Sequence, residues 1–389
     1  MIVEQLSLVD FRNYAAADVT LHPGINVFVG RNGQGKTNLA EAIGYFATLG
    51  SHRVSQDAPM VRDGADAAIV RARLAHGERR VILEAQLNRS GSNKARVNGS
   101  PVKTAELPRY AQVVLFAPED LQIVRGDPSS RRRFADQLLI QRSPRMSGVL
   151  ADYDRVLKQR TALLKSARAR GIRGEELSTL DVWDDKLVQL GTQVVRARLA
   201  LAADLAQPLA DAYTTIAGAD HRPELEWALT IEGAESEEDD DAGDTPITGT
   251  RSPHELEQQF RQALAAKRSS ELDRGLTLVG PHRDDLLLRV RDLPVKGYAS
   301  HGESWSVALS LRLASAHLLR EQSSLGDPVL ILDDVFAELD ADRRSRLAGV
   351  VVDFEQVIVT AAVEADVPEP LRARTVYVEA GTIRESADV

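Results

Sequence analysis

The spacing of apolar positions changes twice along this chain, and the changes divide it. Up to about Gly126 the apolar stretches are short and strand-like. Leu6-Ser7-Leu8-Val9, Gly24-Ile25-Asn26-Val27-Phe28-Val29, Ala68-Ile69-Val70, Val81-Ile82-Leu83-Glu84-Ala85 and Val113-Val114-Leu115-Phe116 alternate or run continuously apolar. Val97-Asn98-Gly99-Ser100-Pro101-Val102 predicts a hairpin turn. From Pro128 to about Thr215 helical spacing takes over. Leu180, Trp183, Leu187, Leu190, Val194 and Leu201 form one long stripe, and Tyr153, Val156 or Leu157, and Leu164 a second. The spacing predicts paired antiparallel helices broken at Ala169-Arg170-Gly171-Ile172-Arg173-Gly174. Residues 253–269 predict one further helix, and strand-like text returns from Gly275. The pattern therefore predicts an α/β fold in two halves, 1–127 and 274–389, bracketing a mainly helical insertion over 128–273.

Chemistry enters at Gly30-Arg31-Asn32-Gly33-Gln34-Gly35-Lys36-Thr37, a full match to the phosphate-loop pattern G-x-x-x-x-G-K-[ST]. A predicted strand precedes it, and Leu39, Ala42, Ile43 and Phe46 follow at helical spacing. Glycines let the backbone curl so that N–H groups converge on phosphate oxygens, reinforced by the positive end of the helix. Lys36 is the candidate for the β- and γ-phosphates, and Thr37 for Mg²⁺. The stretch Gly30 to Thr37, with Asn38 behind it, thus implies a nucleoside triphosphate as cofactor.

The second half supplies what the first lacks. Val329-Leu330-Ile331-Leu332-Asp333-Asp334 is an apolar strand ending in two carboxylates. Asp333 is placed to serve Mg²⁺, and Asp334 to act as general base or to position water. Upstream, Ser300-His301-Gly302-Glu303 opens an apolar helix. Locally it reads equally as a helix cap whose box is closed by Glu303. Its order tips the balance. Phosphate loop, small-residue signature, acidic strand end, then Glu338-Leu339-Asp340 resembles the series in ABC-type ATPases. That resemblance makes the nucleotide ATP and implies two heads paired face to face, with Ser300, Gly302, Glu303 and Asp340 at the partner's nucleotide. A transporter subunit would place the signature closer to the phosphate loop. A chromosome-tethering ATPase would carry a longer coiled coil, and a P-loop kinase would have no use for the signature.

Composition adds limits. The 389 residues are 43% hydrophobic and 27% charged, an ordinary globular balance. There is no cysteine, so neither disulfides nor cysteine-held metal enter, and the start of the chain carries no secretory pattern. No apolar run is long enough for a bilayer, and a cytoplasmic, membrane-free setting is expected. The net charge of −9 is concentrated in Glu235-Ser236-Glu237-Glu238-Asp239-Asp240-Asp241-Ala242-Gly243-Asp244. A disordered loop is expected there, over about 235–250. Without those seven acidic residues the rest carries only −2, so overall acidity does not exclude a DNA partner. Candidate phosphate contacts are Arg131, Arg132, Arg133, Lys158, Arg160, Lys165, Arg168, Arg170 and Arg173. At 5% aromatics, base stacking on single strands is not favoured.

Several segments beyond the nucleotide motifs resemble the RecF family. They are Phe11-Arg12-Asn13-Tyr14, Gly33-Gln34-Gly35-Lys36-Thr37-Asn38 running to Glu41-Ala42-Ile43, and Ser51-His52-Arg53. They continue with Phe116-Ala117-Pro118-Glu119-Asp120-Leu121, Pro128-Ser129-Ser130-Arg131-Arg132-Arg133-Phe134, Gly280-Pro281-His282-Arg283-Asp284-Asp285-Leu286 and the stretch from Leu332 to Asp340. The likeness spans nearly the whole chain except the acidic run. It implies an ABC-type head, lobe I, with a helical lobe II acting as one jaw of a clamp. It further implies sequence-independent binding to duplex and gapped DNA, an ATP-dependent homodimer and slow hydrolysis. RecR and RecO are the implied partners in placing RecA at single-strand gaps. Against the ABC pattern, Asp334 is one methylene shorter than the usual Glu, and Thr360 stands where a switch histidine is usual. Glu119 is a weak stand-in for the Q-loop glutamine. For Gly280 to Asp285 two readings stay open: His282 and Arg283 meet nucleotide, partner or DNA, or the segment is a strand-entry turn with Asp285 paired to Arg283.

Overall fold

The computed structural model describes residues 1–54, 56–171, 178–234, 252–323, 325–372 and 374–385. The acidic run, Arg173 and much of the expected break after Gly171 lie outside them. Contacts divide the chain into two units, Met1–Leu121 with Gln207–Arg222 and Ala299–Val389, and Gln122–Ala206 with Pro223–Tyr298. The division falls at 121/122 and 298/299, where the sequence pattern set 127/128 and 273/274, and 207–222 belong to the first unit.

The first unit holds two six-stranded sheets. One is antiparallel, in the order β2-β1-β4-β5-β6-β7, from β1 (Ile2–Phe11), β2 (Tyr14–Thr20), β4 (Ala67–His76), β5 (Arg79–Asn88), β6 (Lys94–Val97) and β7 (Ser100–Val102). The β6–β7 turn is Asn98-Gly99, both at positive φ (50° and 81°), as a two-residue hairpin matching the strand twist requires. The other sheet runs β15-β14-β3-β13-β12-β8. It comprises β3 (Gly24–Val29), β8 (Val113–Phe116), β12 (Val329–Asp333), β13 (Gln356–Ala361), β14 (Arg374–Glu379) and β15 (Thr382–Glu385). All its pairings are parallel except β14–β15. β12 and β13 are buried along their whole length, as strands covered on both faces must be.

Helix α1 (Lys36–Thr48) packs on β8, β12 and β13. One core joins it to both sheets, drawing Leu6 and Leu8 from β1, Leu39 and Phe46 from α1, and Val329, Ile331 and Ile358 from the parallel strands. Because β3, β13, β12 and β8 run the same way, Val29, Ala361, Asp333 and Phe116 end at one edge, where such sheets gather their ligand groups. Helices α8 (His301–Gln322) and α9 (Ala341–Val351) belong to the same unit, and α8 packs on β8.

The second unit contains α2 (Leu121–Arg125) from its second residue, α3 (Pro128–Arg142), α4 (Arg145–Arg170), most of α5 (Ser178–Ala217), α6 (Pro253–Arg274) and the short α7 (Val295–Tyr298). The predicted stripes are its core: Tyr153, Val156, Leu164, Leu180, Leu187 and Val194 are buried. The expected helix pair is joined by a third, since Leu164, Ala167, Leu180 and Leu272 form one cluster across α4, α5 and α6. Gly275, at φ 68°, ends α6 in the left-handed conformation that glycine adopts without cost. This unit is not purely helical. It carries a sheet, β11-β10-β9, from β9 (Glu224–Ala228), β10 (Asp285–Val290) and β11 (Leu293–Pro294). β9 escapes pattern reading because only Trp227 of its five residues is buried.

Candidate nucleotide site

The loop between β3 and α1 is shaped by its glycines. Gly33 and Gly35 lie at φ 80° and 121°, and a side chain at Gly30 would run into the Val378 carbonyl. α1 starts on Gly35, which has no side chain to cap the first-turn N–H groups. Two hairpin turns brace the loop from outside. From the β1–β2 turn, Asn13 Nδ2 donates to Gln34 O (2.9 Å) and Tyr14 Oη to Gly35 O (3.1 Å). From the β14–β15 turn, Ala380 N donates to Gln34 Oε1 (2.6 Å) and Gly381 N to Gln34 O (3.1 Å). Arg12 grips buried Glu41 through two hydrogen bonds of 2.7 and 2.6 Å. The Phe11-to-Tyr14 motif is therefore a brace for loop and helix.

At the loop's end, Lys36 is buried, with Nζ 3.5 Å from Arg31 O and 3.8 Å from Asp334 Oδ2. Thr37 Oγ1 donates to Asp333 Oδ1 at 3.1 Å, and Thr360 Oγ1 donates to the same oxygen at 2.6 Å. Burial pushes the Asp333 carboxyl up to about 6, with neighbouring Asp334 raising it further and the two hydroxyls opposing. Asp334 is half-buried and sits at φ 51°, a left-handed conformation uncommon for a residue with a Cβ. Its N–H donates to Thr360 Oγ1 (3.0 Å). Thr360 thus binds both carboxylate residues, a role the sequence did not reveal because only strand pairing places β13 beside β12. Asn38 contacts protein: Nδ2 donates to Asn13 Oδ1 (2.8 Å), and Oδ1 accepts from Arg53 (3.1 Å).

His52 is a second residue whose role the sequence left unread. Its Nε2 lies 3.9 Å from Asp333 Oδ2, and burial lowers its pKa from the ordinary histidine value against the opposing charges of Glu119, Glu41 and Asp120. Glu119 is exposed, while Asp120 is buried and held by Arg312 (2.6 Å).

The signature and the Asp340 turn form a separate group in the same unit. Ser300 Oγ accepts from Glu303 N (3.2 Å), and Ser300 N donates to Glu303 Oε2 (2.9 Å), a closed capping box on α8. Asp340 caps α9 by accepting from Arg343 N (2.9 Å), the bond that chiefly lowers its pKa. Arg343 also pairs with the Asp340 carboxylate and donates from Nε to Ser306 Oγ (2.9 Å). Its guanidinium lies so close to Gly302 that a Cβ there would sit 3.2 Å from it. Ser300 and His301 are exposed.

Gly280 to Asp285 belongs to the second unit, and most of its polar groups have internal partners, Asp284 Oδ2 being buried without a hydrogen bond among the described residues. Asp284 is fully buried and accepts from Thr230 N and Oγ1, both 2.8 Å. His282 Nδ1 meets Tyr153 Oη (2.7 Å) and Nε2 meets Thr277 O (3.1 Å), with burial pushing the imidazole down to about 3. Asp285 is paired with Arg131, at 2.6 and 2.8 Å, not with Arg283 as one sequence reading had it. Two of the DNA candidates are corrected in the same way. Arg131 is buried in that pair, and Arg160 is fully buried between Asp184 and Glu271, both 2.6 Å away. Arg133, Lys165, Arg168 and Arg170 are exposed, and Lys158 pairs with Asp154. A cavity of about 430 Å³ in this unit, lined by Leu286, Leu288, Pro294 and Tyr298 among others, involves none of the loop residues.

A family model described as the RecF/RecN/SMC N-terminal domain matches residues 2–383. A protein of Clavibacter sepedonicus called DNA replication and repair protein RecF is 59% identical over 390 residues, covering 99% of this chain and 95% of its own. The chain belongs to the RecF family. A second RecF, from Leifsonia xyli subsp. xyli (strain CTCB07), is 59% identical over 385 residues, covering 99% of this chain and all of its own. A solved recombination mediator RecF, described with ATP and placed in the RecFOR pathway, superposes with a TM-score of 0.86 at 25% identity, covering 99% of this chain and 97% of its own. The ABC-type head read from the motifs is thus the fold of this family. Among the described residues no helix is long and apolar enough to cross a membrane.

Proposed function

We propose that this RecF-family chain binds ATP with Mg²⁺, dimerises on DNA in that state, and hydrolyses slowly. In that form it works with RecR and RecO to load RecA at single-strand gaps during repair and replication restart. The observation that carries the reading is the meeting of Lys36, Thr37, Asp333 and Asp334 at one edge of the parallel sheet. The names of the relatives support the pathway.

The residues fit Mg²⁺. A carboxylate and a hydroxyl are hard oxygen donors, and this ion is commonly held by one or two carboxylates with phosphates completing its shell. Asp333, kept near pKa 6 by burial, is a carboxylate that a nearby cation would stabilise in its ionised form. Thr37 and Asp333 are the ligands assigned here, and the bound ion would neutralise phosphate charge. Lys36 carries its charge to the phosphates from a buried stem. Asp334, beside Lys36 and half-exposed, orients the attacking water and accepts its proton. Ser300, Gly302, Glu303 and Asp340 meet the nucleotide of the opposing head, where Arg343 holds signature and Asp340 turn together.

Asp334→Asn tests the switch. Asparagine keeps the shape and tolerates the left-handed backbone, while Asp333 still serves the metal. ATP binding should persist, hydrolysis should fall at least tenfold, and the complex should stay longer on gapped DNA in a gel shift with ATP. Asp333→Asn should instead weaken Mg²⁺-dependent assembly. An Asp334→Asn protein that hydrolyses and leaves DNA like the wild type would remove Asp334 from catalysis.

A further inference from the structure

We propose that His52 is a positioning residue for the hydrated Mg²⁺ at Asp333, a reading that rests on the nucleotide site proposed above. The geometry begins with an orphan. His52 Nε2 is buried and has no hydrogen-bond partner among the described residues. A ring nitrogen taken from water and left unpaired is costly, and in a native site it calls for a partner. Asp333 Oδ2 lies 3.9 Å from this nitrogen. That gap is too long for a direct hydrogen bond, yet two bonds of about 2.8 Å meeting at one water oxygen span it.

The other carboxylate oxygen is already taken. Thr37 and Thr360 both donate to Oδ1, which leaves Oδ2 facing the imidazole. The ring is carried on a loop fixed from behind. Ser51 Oγ donates to Glu41 and accepts from Arg53 N (2.9 Å) and Val54 N (3.1 Å), while Arg12 clamps Glu41. The Ser51-His52-Arg53 segment and Arg12, linked through Glu41, thus hold the loop that turns His52 toward the metal carboxylate. Such outer partners fix ligand orientation, and removing one commonly costs about 10-fold or more in metal affinity.

The test uses the full chain and the slowly hydrolysed analogue ATPγS, with affinity measured by calorimetry in EDTA and across a Mg²⁺ titration. His52→Ala should raise the Mg²⁺ midpoint about tenfold and leave the affinity in EDTA unchanged. His52→Gln, whose amide can reach the same water, should recover most of the shift. An unchanged midpoint overturns the proposal. So does an equal loss with and without Mg²⁺, which would make His52 a phosphate contact or a packing residue. A wild-type chain that fails to bind ATPγS even with Mg²⁺ would overturn the nucleotide site itself, and His52 with it.

Discussion

Two turns in this molecule use the same residue types to opposite ends. In the first unit, Gly35-Lys36-Thr37 meets Asp333-Asp334 and His52. In the second, Gly280-Pro281-His282-Arg283-Asp284-Asp285 meets Arg131, Thr230 and Tyr153. The second set is largely closed by short bonds, 2.6 and 2.8 Å from Arg131 to Asp285, 2.8 Å from Thr230 to Asp284 Oδ1, and 2.7 Å between His282 and Tyr153. Of these carboxylate and ring atoms only Asp284 Oδ2 is left unbonded among the described residues. In the first set Asp333 Oδ1 is held by Thr360 (2.6 Å) and Thr37 (3.1 Å), but the charged ends of Lys36 and His52 have only longer contacts. Lys36 Nζ stands 3.5 and 3.8 Å from its neighbours, and His52 stands 3.9 Å from Asp333. Buried polar groups normally find good partners. A turn most of whose groups find them within the fold is built for stability, and one whose charged ends are held apart is built for something that arrives.

The sharpest way to break this contrast is at Lys36. Its aliphatic stem is buried, but its charge has only long contacts to surrender. Lys36→Met keeps the volume and should leave the unfolding midpoint within a degree or two, while ATP affinity falls by at least 100-fold, the loss of a charge-assisted phosphate contact. Nucleotide affinity unchanged in the folded variant would end the phosphate-loop assignment.

The second unit should respond in the reverse sense. Arg160 is fully buried and bonds Asp184, Glu271 and Thr277. Arg160→Ala leaves the Glu271 carboxylate buried without its counter-charge and should cost about 3–5 kcal/mol, read by urea unfolding. Were Arg160 instead a DNA contact, as its place in the basic cluster suggested, the variant would keep its stability and lower the salt dependence of DNA binding.

This pair of variants also marks what the sequence could disclose. The phosphate loop, the acidic strand end, the strands 24–29 and 113–116 and the helix after the loop were legible because each follows from local spacing and turn chemistry. The roles of Thr360 and His52 were not, since each depends on which strand or loop lies beside Asp333, a fact of tertiary pairing. Arg131 and Arg160 misled for a related reason. A basic residue on a predicted helix looks solvated until the acid facing it, 154 positions away at Asp285 or 111 at Glu271, is brought to it by the fold. The strand β9 was missed because its burial is too sparse to alternate.

The smallest expected effect lies at Ser300, where both kinds of turn coincide. Its side chain closes a capping box with Glu303, a self-satisfied arrangement, yet it is exposed at the head of α8. As a cap alone, Ser300→Ala should cost about 1 kcal/mol in thermal or urea unfolding, and Ser300→Gly only a few tenths. If the residue also meets the opposing head's nucleotide, Ser300→Arg should leave ATP affinity of the monomer near that of the wild type. The long cation would nevertheless block the dimer that light scattering detects with a non-hydrolysable analogue. The Gly and Arg variants separate the two roles, because glycine spares the cap and leaves the interface open while arginine fills it. A Ser300→Arg protein that dimerises normally with nucleotide would reduce the serine to a helix cap. The comparison would then place it with Gly280 to Asp285 and not with the phosphate loop.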